Sequence, residues 1–395
     1  MISWCKTKLG DCCEIISGST PSTNVESFWN GSICWATPKD LSQLDGAYIS
    51  DTPRKLTQSG LDSCGATILP SNSVLFSSRA PIGHVAVNTV PMATNQGFKS
   101  FVPKDNRVYA KFLYHWLRKN RAYLESLGNG ATFKEVSKTI VSRVEILLPS
   151  LEEQKRIAEI LDRAEELRSK RREAIAQLNT LNQAIFLEMF GDPLSNPNGF
   201  PIQKLGELCS RVIDCPHSTP TYATKITPYA CVRSSDIQSS ELVFSDVKYL
   251  ELEEYKKRIE RGVPQQGDVI YCREGARFGN AALLTDDTPL ICLGQRMMLF
   301  RPETSKANGE FIWGYLSNPI AYHQALREVG GSASPHINIR DIRAFQIPVP
   351  PLNRQCEFAQ RISAVNKLKI AHRTSLSELD VLFSSLQHRA FRGEL

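Results

Sequence analysis

Hydrophobic positions recur every seven residues in two long stretches of the chain, 152–188 and 354–390, and neither stretch contains glycine or proline. In the first stretch, one apolar seam consists of Ile157, Ala164, Leu178 and Ile185, with Arg171 interrupting it, and a second consists of Ile160, Leu167, Ala174 and Leu181. In the second stretch, the corresponding seam consists of Phe358, Val365, Leu379 and Leu386, with His372 in the place of Arg171. This pattern predicts two coiled-coil helices, each on the order of 50 Å long, that bury their apolar stripes against each other.

The stretches before each helix have a different pattern, in which short β-rich runs are separated by Gly, Pro, Asn and Ser. Such runs predict strands, and two further segments predict helices that follow strands. The predicted strands include Ser73–Phe76, Val85–Val87, Asp268–Tyr271 and Met298–Phe300, and the predicted helices are Lys111–Arg118 and Glu310–Leu316. Each long helix is therefore expected to follow a mixed α/β domain.

The chain also repeats itself at a spacing of about 200 residues, which indicates a duplicated domain rather than a solenoid. The matching segments include Lys8-Leu9-Gly10 with Lys204-Leu205-Gly206, Gln96 with Gln295, Gln154 with Gln355, and Val74-Leu75-Phe76 before Arg79 with Val269-Ile270-Tyr271 before Arg273 and Arg277. The predicted fold class is therefore α+β, with two duplicated mixed α/β domains separated by two long antiparallel coiled-coil helices. The predicted boundaries are 1–150 and 192–352 for the domains, and 151–191 and 353–395 for the helices.

Composition narrows the class of protein only slightly. An apolar content of 42%, a charged content of 22% and a net charge of +6 are those of an ordinary globular protein with a mild basic bias. No apolar run approaches the roughly 20 residues needed to span a bilayer, and no signal-peptide core is visible, so we expect a cytoplasmic protein. The eleven cysteines are scattered without metal-ligand spacing, which predicts buried reduced thiols.

The sequence lacks the motifs of an enzyme that handles nucleotides. It has no GxxxxGK[ST] phosphate loop and no glycine-rich strand–turn–helix for S-adenosylmethionine. Glu153-Gln154-Lys155 has a nuclease-like spacing, but it falls on a predicted coiled-coil helix, where a solvated charged turn is expected. We therefore predict no catalytic, cofactor-binding or metal-binding residues in this chain.

Three features together resemble one protein family: the duplication, the long helix that ends each copy, and the segments at the joints. Pro149-Ser150-Leu151-Glu152-Glu153-Gln154 is similar to the helix entry of the specificity subunits of type I restriction–modification enzymes, and Phe391-Arg392-Gly393-Glu394-Leu395 is similar to the ending common in that family. The second helix entry departs from the pattern, with Asn353-Arg354-Gln355 in place of Glu-Glu-Gln.

This resemblance implies that each domain is a target-recognition domain that reads one half of a split double-stranded DNA site. It implies that the helices hold the two domains apart and dock two methyltransferase subunits, which in turn associate with a restriction and translocase subunit. S-adenosylmethionine, ATP and Mg²⁺ are then expected on the partner subunits only. The helix residues expected at the docking surface are Gln154, Ile157, Leu161, Gln355, Phe358 and Ile362.

Side chains that can reach base edges or phosphates are the candidates for DNA contact. Polar and basic residues in the turns of the two domains meet this description: Lys39, Arg79, Gln96, Lys99, Thr132, Lys134, Arg233, Arg273, Arg277, Gln295, Arg296, Ser334 and His336. For each of them the alternative is a structural role, in which an arginine or an amide stabilises its own turn or a loop is merely exposed.

Two other functions remain open at the level of sequence. The first is a stand-alone scaffold whose coiled-coil helices and domains bind other proteins, and the second is an enzyme with an unrecognised site. DNA binding that weakens steeply with salt separates recognition of DNA from the scaffold, and incubation with S-adenosylmethionine alone tests the enzyme.

Overall fold

The protein is described by a computed structural model that covers residues 4–79, 81–129, 134–327, 329 and 335–395. The chain divides into two compact units. Unit 1 comprises Met1–Lys170 and Ser375–Leu395, and unit 2 comprises Arg171–Thr374. The division therefore falls inside both long helices, so each unit contains a domain and a part of each helix.

Unit 1 contains mixed strands and short helices before its long helix. Its strands are β1 (Cys5–Lys8), β2 (Cys13–Ser17), β3 (Trp29–Ala36), β4 (Tyr48–Ile49), β5 (Lys55–Leu56), β6 (Val74–Phe76), β7 (Val85–Asn88), β8 (Ala93–Thr94), β9 (Lys99–Pro103) and β10 (Glu145–Leu148). Its helices are α1 (Leu9–Cys12), α2 (Pro38–Ser42), α3 (Gln58–Asp62), α4 (Ala110–Lys119), α5 (Arg121–Ser126), α6 (Lys138–Arg143) and the first part of α7 (Leu151–Phe190).

Unit 2 repeats this arrangement. Its strands are β11 (Ile202–Lys204), β12 (Cys209–Asp214), β13 (Ala230–Val232), β14 (Ile237–Gln238), β15 (Glu241–Leu242), β16 (Lys248–Tyr249), β17 (Val269–Cys272), β18 (Ala281–Leu283), β19 (Ile291–Leu293), β20 (Met297–Pro302) and β21 (Gln346–Pro348). Its helices are α8 (Leu252–Ile259), α9 (Gly309–Leu316), α10 (Pro319–Arg327), α11 (Ile339–Arg343) and the first part of α12 (Leu352–Ala390).

Sheet topology confirms the duplication. In unit 1 the strands pair in the orders β2-β9-β6-β7-β4, β5-β3-β8 and β1-β10, and in unit 2 in the orders β12-β20-β17-β18, β16-β13-β19 and β11-β21. One parallel pair lies at the same place in each unit, with Ala36 opposite Thr94 and Val232 opposite Leu293. The predicted strands and helices agree with β6, β7, β17, β20, α4 and α9 to within two residues at each end.

Within each unit the two long helices run antiparallel. In unit 1, Arg168 of α7 donates a hydrogen bond of 2.6 Å to Asp380 of α12, and in unit 2, Arg171 lies 2.7 Å from Nδ1 of His372. The first predicted seam is confirmed, because Ile157, Ala164 and Ile185 are buried. Leu178 and His372, which belong to the same seam, are partly buried.

The second predicted seam is wrong. Leu167 and Leu181 are 48% and 39% exposed, whereas Leu161 and Asn182, which lie one residue later in the heptad than predicted, are buried. The actual seam includes polar positions: Arg168 is paired with Asp380 on the opposite helix, whereas Oδ1 of Asn182 has no hydrogen-bond partner among the described residues. The two exposed leucines are therefore surface features of α7.

A phenylalanine at the end of α7, and one directly after the end of α12, pack on a domain. In unit 2 the Phe190 ring lies 5.5 Å from Phe311 of α9, and in unit 1 the Phe391 ring lies 5.4 Å from Phe112 of α4. Phe190 and Phe391 occupy matching places in the duplicated sequence. The end of α12 thus packs on the domain formed by the first part of the chain.

A buried polar cluster joins α4 to α7 in unit 1. Asp162 Oδ1 lies 2.8 Å from Lys111 Nζ and 2.6 Å from His115 Nε2. Burial lowers the pKa of His115, and the hydrogen bond to Asp162 offsets this only in part. Burial tends to raise the pKa of Asp162, but the hydrogen bonds from His115 and Lys111 outweigh it, so that pKa is lowered. Among the described residues, His115 Nδ1 has no hydrogen-bond partner.

The cysteines are free thiols, and most of them are buried. Cys5 and Cys356 are exposed, so the prediction of buried thiols is wrong for these two. Within the described ranges, no helix combines the length and hydrophobicity that spanning a membrane requires.

Candidate nucleic-acid interface

Three segments of unit 1 meet where the buried strand β6 ends. Ser78 N donates to the carbonyl of Gly97 at 2.8 Å, and Val136 N donates to the carbonyl of Ser78 at 2.8 Å. We call this meeting of segments 77–79, 95–97 and 134–136 loop crossing 1. This crossing holds several of the residues predicted to contact DNA on one backbone frame.

Unit 2 has the same frame after strand β17. Arg273 N donates to the carbonyl of Arg296 at 3.0 Å, and Ile337 N donates to the carbonyl of Arg273 at 3.0 Å. We call the meeting of segments 272–274, 294–296 and 335–337 loop crossing 2. Matching backbone hydrogen bonds make Arg273 the equivalent of Ser78, so Arg79 is equivalent to Glu274 rather than to an arginine.

A glutamine ties each loop crossing to an earlier turn of its domain. Gln96 is in hydrogen-bond contact with the hydroxyl of Thr20, and Gln295 donates to the hydroxyl of Thr219 at 3.3 Å and to the carbonyl of His217 at 2.8 Å. The two threonines precede their glutamines by the same 76 residues. Each glutamine therefore makes a structural contact within its own domain, and its amide lies at the surface of the crossing.

Exposed basic side chains surround loop crossing 1. Lys39, Arg79 and Lys134 are exposed, and the first two line, with Gln96, a shallow depression of about 490 Å³. Lys99 differs, because it is 8% exposed and its ammonium lies 3.2 Å from Glu135. Lys99 therefore stabilises the crossing from within, although the sequence suggested a contact with DNA.

Loop crossing 2 carries charges of both signs. Glu274 lies 3.6 Å from Arg296 and 3.6 Å from His336, and all three side chains are at least one-third exposed. Arg277 is exposed on the turn that follows. These side chains stand where a duplex could reach them.

Two predicted DNA contacts are engaged inside their own domain. Arg233 forms ion pairs with Asp236 and Asp246, and the hydrogen bonds to Asp236 raise the pKa of the guanidinium. Its backbone N–H bonds Asp236 at 2.8 Å, just as Thr37 N bonds Asp40 at 2.7 Å in unit 1. Arg233 therefore stabilises the start of a short helical turn.

Arg273 is the second predicted DNA contact that is engaged inside its own domain. It is 6% exposed, and its Nε lies 3.3 Å from Asp214 in an ion pair without hydrogen-bond geometry. A contact with a base would require the side chain to leave the protein interior. The structure favours the structural alternative for Arg273. Two other candidates, Thr132 and Ser334, lie outside the described residues.

The helix residues expected to dock partners are instead buried in their own units. Gln154, Ile157, Leu161, Gln355, Phe358 and Ile362 are each at most 1% exposed. Their neighbours are domain and helix residues of the same unit. This prediction is wrong for these side chains, because a buried residue cannot present a docking surface.

The two glutamines of this set make the same three hydrogen bonds. Gln154 accepts from Tyr109 N at 2.8 Å and donates to the carbonyls of Arg107 and Pro149, both at 3.0 Å. Gln355 accepts from Asn308 N at 3.0 Å and donates to the carbonyls of Lys306 and Pro350. We call this pair the helix-entry glutamines, because each fixes the first turn of a long helix to its domain.

Glu274 and the threonine partners of the glutamines were not among the site residues predicted from the sequence. The repeated spacing of Thr20 to Gln96 and of Thr219 to Gln295 was a signal that could have found the second group. Glu274 had no such signal, because its equivalent in unit 1 is Arg79. A residue whose charge is inverted between copies is invisible to a search for repeats.

Comparison with known proteins decides the family. A model of the type I restriction modification DNA specificity domain matches residues 1–179 and 230–380. The chain belongs to this family. The family consists of DNA-recognition domains. In this chain the α+β domain is present twice, and each copy is followed by a long helix.

Individual relatives agree with this assignment. The specificity subunit of the type I restriction enzyme MjaIX from Methanocaldococcus jannaschii is 26% identical, over 99% of this chain and 93% of its own length. The EcoDI specificity subunit from Escherichia coli is 21% identical, over 84% of this chain and 81% of its own.

Solved structures show the same fold. A chain from a structure of the type I R-M system has a TM-score of 0.61 at 20% identity, covering 100% of both chains. The S subunit of a type I system from M. genitalium has a TM-score of 0.56 at 13% identity, covering 99% of this chain and 96% of its own.

Proposed function

We propose that this chain selects the DNA sequence on which a type I restriction–modification complex acts, with each unit contacting one half of a bipartite double-stranded site. The observation that carries the proposal is the repeated loop crossing. Its backbone hydrogen bonds are the same in both units, whereas its exposed side chains differ, with Arg79 in one unit and Glu274 in the other. A common frame with different charged groups suits two modules that read different bases.

The exposed cations on and beside these crossings can supply affinity as well as specificity. Lys39 and Lys134 in unit 1 are suited to phosphates, which contribute affinity for any sequence. Arg79 in unit 1 and Arg277 in unit 2 are suited to base edges, where a bidentate guanidinium distinguishes guanine.

The chemistry is assigned to partner subunits. The sequence has no phosphate-binding loop and no glycine-rich S-adenosylmethionine site, so methyl transfer, DNA cleavage and ATP hydrolysis require other chains. S-adenosylmethionine, ATP and Mg²⁺ are accordingly proposed for two methyltransferase subunits and a restriction and translocase subunit. Purified chain incubated with S-adenosylmethionine and DNA should therefore transfer no methyl groups.

Exposed leucines on the long helices are the proposed docking sites for the methyltransferase subunits. Leu167 and Leu181 of α7 are 48% and 39% exposed, and Leu368 and Leu382 of α12 are 52% and 50% exposed. On the offset that relates Ile157 to Phe358, Leu167 is equivalent to Leu368, and Leu181 to Leu382. Exposed apolar residues repeated in this way suit two copies of one partner.

A salt-titrated binding assay tests the DNA-recognition role. The full chain should select a split motif from randomised duplexes, and its affinity should fall steeply as salt rises. Lys39→Ala should lower affinity for all sequences alike and reduce the salt slope by about one. Binding that is independent of sequence and of salt would favour a protein-interaction scaffold instead.

The docking sites are tested by stoichiometry. Leu167→Asp and Leu368→Asp should each lower the number of methyltransferase subunits bound from two toward one. Ala176→Asp is the control, since Ala176 is an exposed position on α7 outside the repeated leucines. Retention of both subunits by the two leucine variants would exclude these docking sites.

A further inference from the structure

Arg296 has a backbone conformation that is costly for an arginine. Its φ is +69°, in the left-handed region where the Cβ of a residue other than glycine crowds its own backbone. The equivalent residue in loop crossing 1 is Gly97, since the carbonyls of Gly97 and Arg296 accept the same hydrogen bond. Gly97 itself does not have a positive φ, and a glycine at position 296 would adopt the left-handed conformation at less cost than arginine does. Strain of this kind concentrates at functional sites.

The surrounding residues hold the Arg296 side chain at the surface. A Cβ on Gly275, which itself has a φ of +86°, would lie 3.3 Å from Nη1 of Arg296. The guanidinium therefore lies next to the bare backbone of Gly275, 3.6 Å from the carboxylate of Glu274, and it stays 56% exposed. Within the described residues the guanidinium makes an ion pair but no hydrogen bond, so its donors are available to a ligand.

We propose that Arg296 and Glu274 together read one G·C pair in the major groove, in the half-site contacted by unit 2. Arg296 donates to O6 and N7 of guanine, and Glu274 accepts from the N4 amino group of the paired cytosine. The proposal rests on the proposed function, that the chain recognises DNA. A carboxylate repels phosphates, so its place beside an exposed arginine is best explained by a base that offers it a donor.

The two units then prefer different base edges at the same point of their frames. Loop crossing 1 carries Arg79 where loop crossing 2 carries Glu274, and Gly97 where it carries Arg296. Unit 1 therefore has an arginine at the position where unit 2 has the acidic group, and the acidic residue of loop crossing 1, Glu135, is paired with Lys99.

Arg296→Gly tests the proposal in the full chain, with selection from randomised duplexes and a melting temperature for each variant. Preference for G·C should fall by about 5- to 150-fold at one position of one half-site, while the other positions are unchanged. The melting temperature should be unchanged or higher, because glycine adopts a left-handed conformation without strain. Lys257→Ala on α8, which removes the same charge from unit 2 at an exposed position, should leave the motif intact.

Glu274→Gln tests the cytosine contact separately. It keeps the shape of the side chain and removes the negative charge. Discrimination at the same base pair should fall, and affinity for unrelated DNA should rise, because the repulsion of phosphates is lost.

Three outcomes would overturn the proposal, and each is distinguishable. If Arg296→Gly weakens binding to every sequence alike and reduces the salt slope by about one, Arg296 contacts phosphate. If it lowers the melting temperature and abolishes recognition of the whole half-site, its role is structural. A motif that is split but unchanged in both variants refutes this inference alone, whereas a parent chain that selects no motif refutes the proposed function itself.

Discussion

Replacing Gln154 by alanine separates two roles for the helix-entry glutamines: fixing a helix to its own domain, and docking a partner. The side chain is fully buried, and its amide bonds three backbone groups, Tyr109 N and the carbonyls of Arg107 and Pro149. Replacing the glutamine by alanine removes the amide that all three backbone groups bond. The space it leaves is lined by polar groups that then lack hydrogen bonds.

The expected loss of stability follows from this count. A buried polar group left without a partner costs about 1–3 kcal/mol, so three groups at the low end give a loss of about 3 kcal/mol in the free energy of unfolding. Gln154→Glu should also destabilise unit 1. Its carboxylate can accept from Tyr109 N, but it places an oxygen against the two carbonyls that the amide nitrogen now bonds.

Two measurements on the full chain decide the matter. Denaturant unfolding gives the stability, and hydrogen exchange at the Tyr109 amide reports the hydrogen bond itself, which matters because a chain of two units need not unfold in one step. Gln177→Ala is the matched control, because Gln177 is an exposed residue of α7 whose side-chain amide donates to the carboxylate of Glu173 at 3.3 Å. It should change stability by at most about 0.5 kcal/mol.

The second copy provides a reciprocal test. Gln355→Ala should speed exchange at the Asn308 amide of unit 2 and leave the Tyr109 amide protected. The reasoning is refuted if Gln154→Ala is as stable as Gln177→Ala with Tyr109 exchange unchanged. Loss of methyltransferase binding at unaltered stability would restore the docking role.

Three further predictions concern pH, base readout and spacing. Burial lowers the pKa of His115 below its ordinary 6.5, so the unfolded chain binds a proton that the folded chain does not. Stability should therefore fall as pH drops below about 6.5, and His115→Gln should flatten the melting temperature between about pH 7.5 and 5.5; an equal pH dependence in both proteins would contradict this. Arg79→Ala should weaken binding by about 1–3 kcal/mol and relax the base preference at one position of one half-site, at unchanged melting temperature. Arg277→Ala should have the same effect only in the other half-site. An unchanged selected motif in both variants would exclude base readout by these two arginines. Deleting four residues within Ala174–Ala184 shortens α7 by about 6 Å and turns its end by about 40°. The preferred gap between the half-sites should therefore change, while the bases recognised in each half-site stay the same. Altered bases with an unchanged gap would count against a spacing role for the helices.

The long helices could be predicted from the sequence because their signal is local and repeated. A stretch without glycine or proline that keeps a heptad pattern has few other structures open to it, and α7 and α12 begin and end within two residues of the stretches 152–188 and 354–390. The boundary predicted for the second helix, 395, lies five residues beyond the end of α12 at Ala390. The choice of the second seam failed because it used hydrophobicity alone. Arg168 lies in the actual seam because Asp380 of α12 satisfies its charge, and a contact between residues so far apart in the chain is not visible in a local pattern.

The candidate site was harder to predict because the two domains share a frame but not its side chains. Aligning like with like matched Arg79 with Arg273 and Arg277, yet backbone hydrogen bonds make Arg273 the equivalent of the buried Ser78. The two units share the backbone hydrogen bonds of the frame, whereas the side chains at its surface differ. An arginine that matches an arginine is therefore weak evidence for readout. The inverted pair, Arg79 and Glu274, is the stronger candidate, because a difference at a fixed point of the frame is what two half-sites of different sequence require.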